Sequence, residues 1–171
     1  MKRILHYVLC AVLIFSLTAC GTDGSPTKET GQATQTASKS EETFGLNETA
    51  VFTELKFTAT EIKESDGDSF FTPDAGNTFI GIKFTVENIS DEEQSVSSML
   101  LFEGYVDDVK CDYSLSAACA FDGGTIDGSI APGKKLIGWY ALEVPQSWSN
   151  IELDVQSTWL SNNSAKFVFT K

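Results

Sequence analysis

The chain has 171 residues, with 24 acidic side chains against 12 basic ones and a formal net charge of −12. That length fits one domain plus extensions, and the acid excess repels the nucleic-acid backbone and anionic headgroups alike, which sets nucleic acid aside as a partner. Histidine occurs once, at His6, and arginine once, at Arg3.

Both lie in the first predicted element. Met1-Lys2-Arg3 is a basic start, residues 4–17 (ILHYVLCAVLIFSL) form a mainly apolar run, and small residues follow up to Cys20. Regions in this order read as a secretory signal peptide over 1–19. The run is shorter than the roughly 20 residues a helix needs to cross a hydrocarbon core, which disfavours a transmembrane anchor. Leu17-Thr18-Ala19-Cys20 resembles the bacterial lipobox. The resemblance implies that Cys20 receives a diacylglycerol and becomes the first residue of the mature chain; the alternative is an ordinary cleavage site beside a chance cysteine. Two acyl chains anchor stably where one holds marginally. Cleavage before Cys20 removes Lys2, Arg3 and His6 and takes the net charge from −12 to −14. A mature chain without histidine or arginine has no Ser–His or Cys–His catalysis, no histidine ligand for zinc and no bidentate fork for phosphate or carboxylate.

Residues 20–48 are rich in Thr, Ser, Gly, Gln, Lys and Glu, with Phe44 and Leu46 as the only large apolar side chains. Such a stretch cannot bury enough apolar surface to offset the entropy of ordering it, so a flexible tether is predicted, with a root-mean-square reach of roughly 30 Å and a taut limit of about 90 Å. Ser25-Pro26-Thr27-Lys28 matches the S-x-x-K pattern of penicillin-interacting enzymes but lacks its companion motifs, and is read as chance.

Residues 49–171 read as all-β. Period-two alternation predicts half-buried strands over 50–63 and 79–88, with further strands over 97–105, 109–115, 124–130, 135–144, 150–156 and 165–170. Turn residues separate them: Asp66-Gly67, Pro73-Asp74, Asp122-Gly123, Pro132-Gly133 and Pro145. Seven to eight short strands suggest an immunoglobulin-like antiparallel β-sandwich, with a closed barrel as the alternative and one irregular or helical turn near 91–98. Two blocks, "TPDAGNTFIGIKFTVENIS" (72–90) and "GSIAPGKKLIGWYALEVP" (128–145), resemble a telokin-like, immunoglobulin-like domain family of unknown function found in bacterial lipoproteins. That family is related in fold to a mycobacterial immunoprotective extracellular protein. The resemblance implies a β-sandwich on a secreted or lipid-anchored chain and carries no catalytic residues.

Cys111 and Cys119 remain after processing. Outside the membrane a lone pair can form a disulfide, worth roughly 2.5 kcal/mol for so short a loop; two free cysteines are the other reading. Acids cluster at Asp66, Asp68 and Asp74 and at Asp107, Asp108 and Asp112. They could ligate calcium, but neither set has EF-hand spacing, and solvated turn acids explain them as well. Aromatics in loops are common binding anchors. Phe70, Phe71, Trp148 and Trp159 fall in or near predicted loops, and Trp139 points away from Tyr140, Leu142 and Val144 on a regular strand; capping the core is the competing role for all five. The N-x-S/T sequons at Asn47, Asn88 and Asn162 carry no weight in a bacterial chain.

These features predict a cell-surface lipoprotein, facing the extracellular side or the wall, whose sandwich binds an extracellular protein or a cell-wall component without cofactor or catalysis. An accessory subunit of a membrane transporter or signalling complex is the second reading. A hydrolase using carboxylates is the third.

Overall fold

Alternating apolar positions decide which way each strand faces. The computed structural model describes residues 27–28, 42–160 and 163–171. Among them the chain runs β1 (Thr27–Lys28), β2 (Thr43–Phe44), β3 (Thr49–Val51), β4 (Leu55–Ser65), β5 (Asn77–Asn88), β6 (Gln94–Val96), β7 (Phe102–Val106), β8 (Val109–Cys111), α1 (Leu115–Cys119), β9 (Gly128–Ile130), β10 (Lys135–Pro145), β11 (Asn150–Gln156) and β12 (Ser164–Thr170). One sheet has the order β1-β3-β4-β5-β10 and the other β2-β12-β11-β7-β8, while β6 pairs with β9. The inward rows of both sheets, such as Leu55, Phe57 and Ala59 on β4 and Ile151, Leu153 and Val155 on β11, share one buried apolar core. The expected β-sandwich is therefore the fold. Its order places β4-β5-β10 and β12-β11-β7-β8 where an immunoglobulin domain has A-B-E and G-F-C-C′.

The two sequence blocks turn out to be neighbours. β5 and β10 pair along their lengths, from Asn77 opposite Pro145 to Glu87 opposite Lys135. Asn88 fastens one end: its backbone exchanges hydrogen bonds with Lys134 and Gly133, and its buried side chain donates to the carbonyls of Glu92 and Ile130 at 2.7 and 2.8 Å. Glu143 fastens the other, accepting from Asp74 N and Asn77 Nδ2.

Several local expectations are corrected. Residues 91–98 hold β6, not a helical turn, because its backbone groups find β9 as partner. The strand expected over 97–105 begins only at Phe102, since the Asp127 carboxylate captures Ser98 N and Oγ and turns the chain there. The strand expected over 109–115 stops at Cys111, and Ser114 instead caps α1 by accepting from Ala117 N at 3.1 Å. Of 124–130 only β9 is a strand, with a single bridge from Thr125 to Trp139 before it. Phe44, counted with the tether, is buried in the core beside Phe167. Thr27 and Lys28, also in that stretch, pair with Val51 and Ala50; Cys20 lies outside the described residues.

Registers separate the two ends of the sandwich. Leu55 opposite Asn88 and Phe102 opposite Val155 mark the end carrying loops 89–101 and 157–160. Ser65 opposite Phe79 and Val106 opposite Ile151 mark the end carrying loops 66–76, 107–108 and 146–149.

Candidate functional site

Sheet edges leave one flank open. β8 ends one sheet and β10 the other, and residues 112–114 cross between them, held where Ser114 N donates to the Ala141 carbonyl at 2.9 Å. Under this crossing lies a groove of about 260 Å³, near the lower size of small-ligand sites. Its floor is aromatic: Phe102 stacks on Tyr140 at 5.0 Å and 20°, and Tyr113 leans on Tyr140 at 5.5 Å. Ser98 and Met99 form one wall, and Glu103, Lys110 and Asp112 the polar rim. Gly104 fits here for want of space, because a Cβ would come within 2.7 Å of the Cys111 carbonyl and 3.2 Å of Tyr140 Oη.

Two features set the groove's chemistry. Tyr113 Oη is buried without a hydrogen bond of ordinary geometry; the neighbouring Ser98 hydroxyl, which pulls weakly against the effect of burial on the phenol, is committed to the Asp127 carboxylate. Burial, and then the Asp127 charge, push the Tyr113 phenol above its usual range, and burial does the same to Tyr140. Both phenols thus stay protonated and can donate. At the rim Lys110 Nζ lies 2.7 Å from Glu103 Oε1, which holds the Glu103 carboxyl below its ordinary value. This pair is exposed and contributes little to stability.

The aromatics singled out in the sequence are dispersed. Trp139 does point away from Tyr140, yet it is buried: it stacks on Phe121 at 5.1 Å, donates from Nε1 to the Asp122 carbonyl and lies under α1 in a second apolar cluster on the outer face. Gly81 makes room for this, since a Cβ there would meet the Phe121 ring at 2.9 Å. Trp148 is buried in the main core, with Lys171 Nζ 5.3 Å from its ring. Neither is a free contact surface, and both are corrected to core. Phe70 and Phe71 are exposed in the loop after β4, where Asp68 accepts from both backbone N–H groups. Trp159 is exposed at the opposite end.

The bridge between Cys111 and Cys119 is absent, and both thiols are free. Cys111 faces the main core with Sγ 3.4 Å from the Glu143 carbonyl, whereas Cys119 ends α1 over the outer cluster, so β10 stands between them. Burial foremost, then Asp112 and Glu143, raise the Cys111 thiol, which makes it a poor nucleophile. Among the described residues no three His, Cys, Asp or Glu side chains gather to hold a metal ion. The acids have other tasks. Asp107 and Asp108 take positive φ in the two-residue β7–β8 turn, as a hairpin of this type needs, and the Asp107 carboxylate accepts from Ser149 N and Asn150 N.

The groove residues Tyr113 and Gly104 went unnoticed in the sequence. Neither has a periodic signal, because their meaning depends on a strand of the other sheet.

A family model matches residues 44–166, which begin at the buried Phe44 and end within β12. The chain belongs to the DUF4352 family, a domain of unknown function. Solved structures share its fold. A Bacillus subtilis protein described as a "putative lipoprotein" is 14% identical with a TM-score of 0.55, covering 68% of this chain; the chain spans only 36% of that protein. A β-sandwich protein from Clostridium difficile is 15% identical with a TM-score of 0.52, covering 81% of this chain and 99% of its own. A second "putative lipoprotein", from Staphylococcus aureus, is 18% identical with a TM-score of 0.50, covering 71% of this chain and 87% of its own. No curated protein sequence matches the chain.

Proposed function

We propose that this DUF4352 protein is a surface lipoprotein, anchored through Cys20 on the outer side of the cell membrane, whose sandwich holds an extracellular protein or cell-wall component in the flank groove without catalysing a reaction. The observation that carries this reading is the groove itself, with the buried and unpartnered Tyr113 Oη beside an aromatic floor. An unmet buried hydroxyl costs about 1–3 kcal/mol, and a ligand carbonyl accepting from it recovers that cost on binding. The fitting ligand carries an acceptor next to an apolar body, such as a peptide carbonyl beside an aliphatic side chain or an N-acetyl group of a wall glycan. The lipobox and the two lipoprotein-described fold relatives support the anchor. Loss of the only histidine and arginine on processing supports a binding role over chemistry, and kinship with telokin-like sandwiches, including the mycobacterial immunoprotective protein, is part of this reading.

Photo-crosslinking on intact cells tests it, with the crosslinking residue replacing the exposed Asp112 at the rim. The wild-type groove captures a discrete protein or wall fragment, and Tyr113→Phe in the same background lowers capture at least about fivefold while its fold is retained. Equal capture by both chains, or none by either, contradicts the proposal. Capture of a transporter or receptor subunit identifies the protein as that complex's accessory.

A further inference from the structure

We propose that the loop tips carrying Leu100, Trp159 and Leu160 enter the interfacial layer of the bilayer that holds the anchor. The inference rests on the lipid-anchor reading of Cys20 and goes beyond it, since a tether alone leaves the domain's orientation open.

Large apolar side chains are usually turned inward, yet here Leu100 is 64%, Trp159 67% and Leu160 70% exposed. They come from separate loops brought to one end, where Gln156 N donates to the Leu101 carbonyl at 2.9 Å. The first loop is held firmly: Ser98 is fixed by Asp127, Leu101 N donates to the Ser97 carbonyl at 3.0 Å, and Leu101 itself is buried. Leu100 is thus presented outward by a turn anchored on both sides. Trp159 is also distinct from the other two tryptophans, which are buried. An exposed indole beside leucines suits the headgroup boundary, where one edge is wet and the other apolar.

The chain's entry selects the occupant. β1 runs antiparallel to β3 with Thr27 opposite Val51, so the chain preceding Thr27 joins the sheet at this same end. Thr27 stands seven chain steps after Cys20, with six residues between them, a reach of at most about 25 Å. The far end, with Phe70, stands roughly 35 Å away along the 11-residue β4. The anchor therefore keeps the Trp159 end nearest the lipid. Charge sets the mode of contact: Asp91, Glu92 and Glu93 outnumber Lys134 and Lys135 at this end, so contact comes from apolar insertion and not from attraction to anionic headgroups. Met99 stands at the corner between tip and groove, which brings a partner held in the groove close to the membrane surface.

The test uses the full lipidated chain in phosphatidylcholine vesicles, with and without bromine on the acyl chains. Brominated lipid quenches tryptophan emission, Trp159→Phe abolishes the quenching because only buried tryptophans remain, and Leu100→Ser reduces it. Replacing part of the phosphatidylcholine with anionic lipid does not increase it. If the chain floats with the vesicles but emission is the same with and without bromine, the inference is overturned and the anchor stands. Shielding of Trp159 from aqueous iodide without quenching by brominated lipid also overturns it, because a second copy or another protein then covers the tip. If the chain does not float, the anchor reading fails and the inference falls with it.

Discussion

At the scale of single residues, the side chains that matter most here are polar ones in unpolar places. Asn88 is fully buried, and its side chain donates to two carbonyls and accepts from Ser90 N and Oγ. It ties the end of β5 to the β9–β10 corner, which gives a physical reason for the asparagine after "FTVE" in the first sequence block. Asn88→Ala strands these buried groups, and equilibrium denaturation should show a loss of about 2–4 kcal/mol. Tyr113 stands in contrast, since its hydroxyl has no such partner. Asn88 serves the fold, whereas Tyr113 lines the groove on which the proposed binding rests.

At the scale of elements, the strands were legible because their signal is local. β4, β11 and β12 alternate inward apolar with outward polar residues, with a register shift between Ala59 and Glu61 in β4, whereas β5 and β10 are buried on both faces over 78–82 and 138–142, where the second apolar cluster covers them. What depended on distant partners was not legible. β6 exists because β9 pairs with it, and α1 sits on the outer face because Gly81 leaves space for Phe121 beneath it. The alternation correctly turned Trp139 away from the main core, but only the covering helix decides that it is buried. Trp139→Ala therefore behaves as a core truncation: chemical denaturation should show a loss of about 3–5 kcal/mol, whereas an exposed contact residue loses well under 1 kcal/mol. The groove escaped notice for the same reason, since its floor joins Phe102 of one sheet to Tyr140 of the other.

At the scale of the molecule, address and architecture converge. The sandwich buries its apolar rows, covers the outer face of β5 and β10 with the second cluster and leaves the β8–β10 flank open as a groove. The chain joins the sheets at the end that presents Leu100 and Trp159. An anchored, groove-bearing domain accounts for these features together, and both the extracellular partner and the bilayer contact stand on the anchor. Growing cells with an alkyne analogue of palmitate tests that anchor most directly, comparing the wild-type chain with Cys20→Ala. An anchored wild-type chain carries label in the membrane fraction and Cys20→Ala carries none; an unlabelled wild-type chain, or equal label on both, contradicts the anchor.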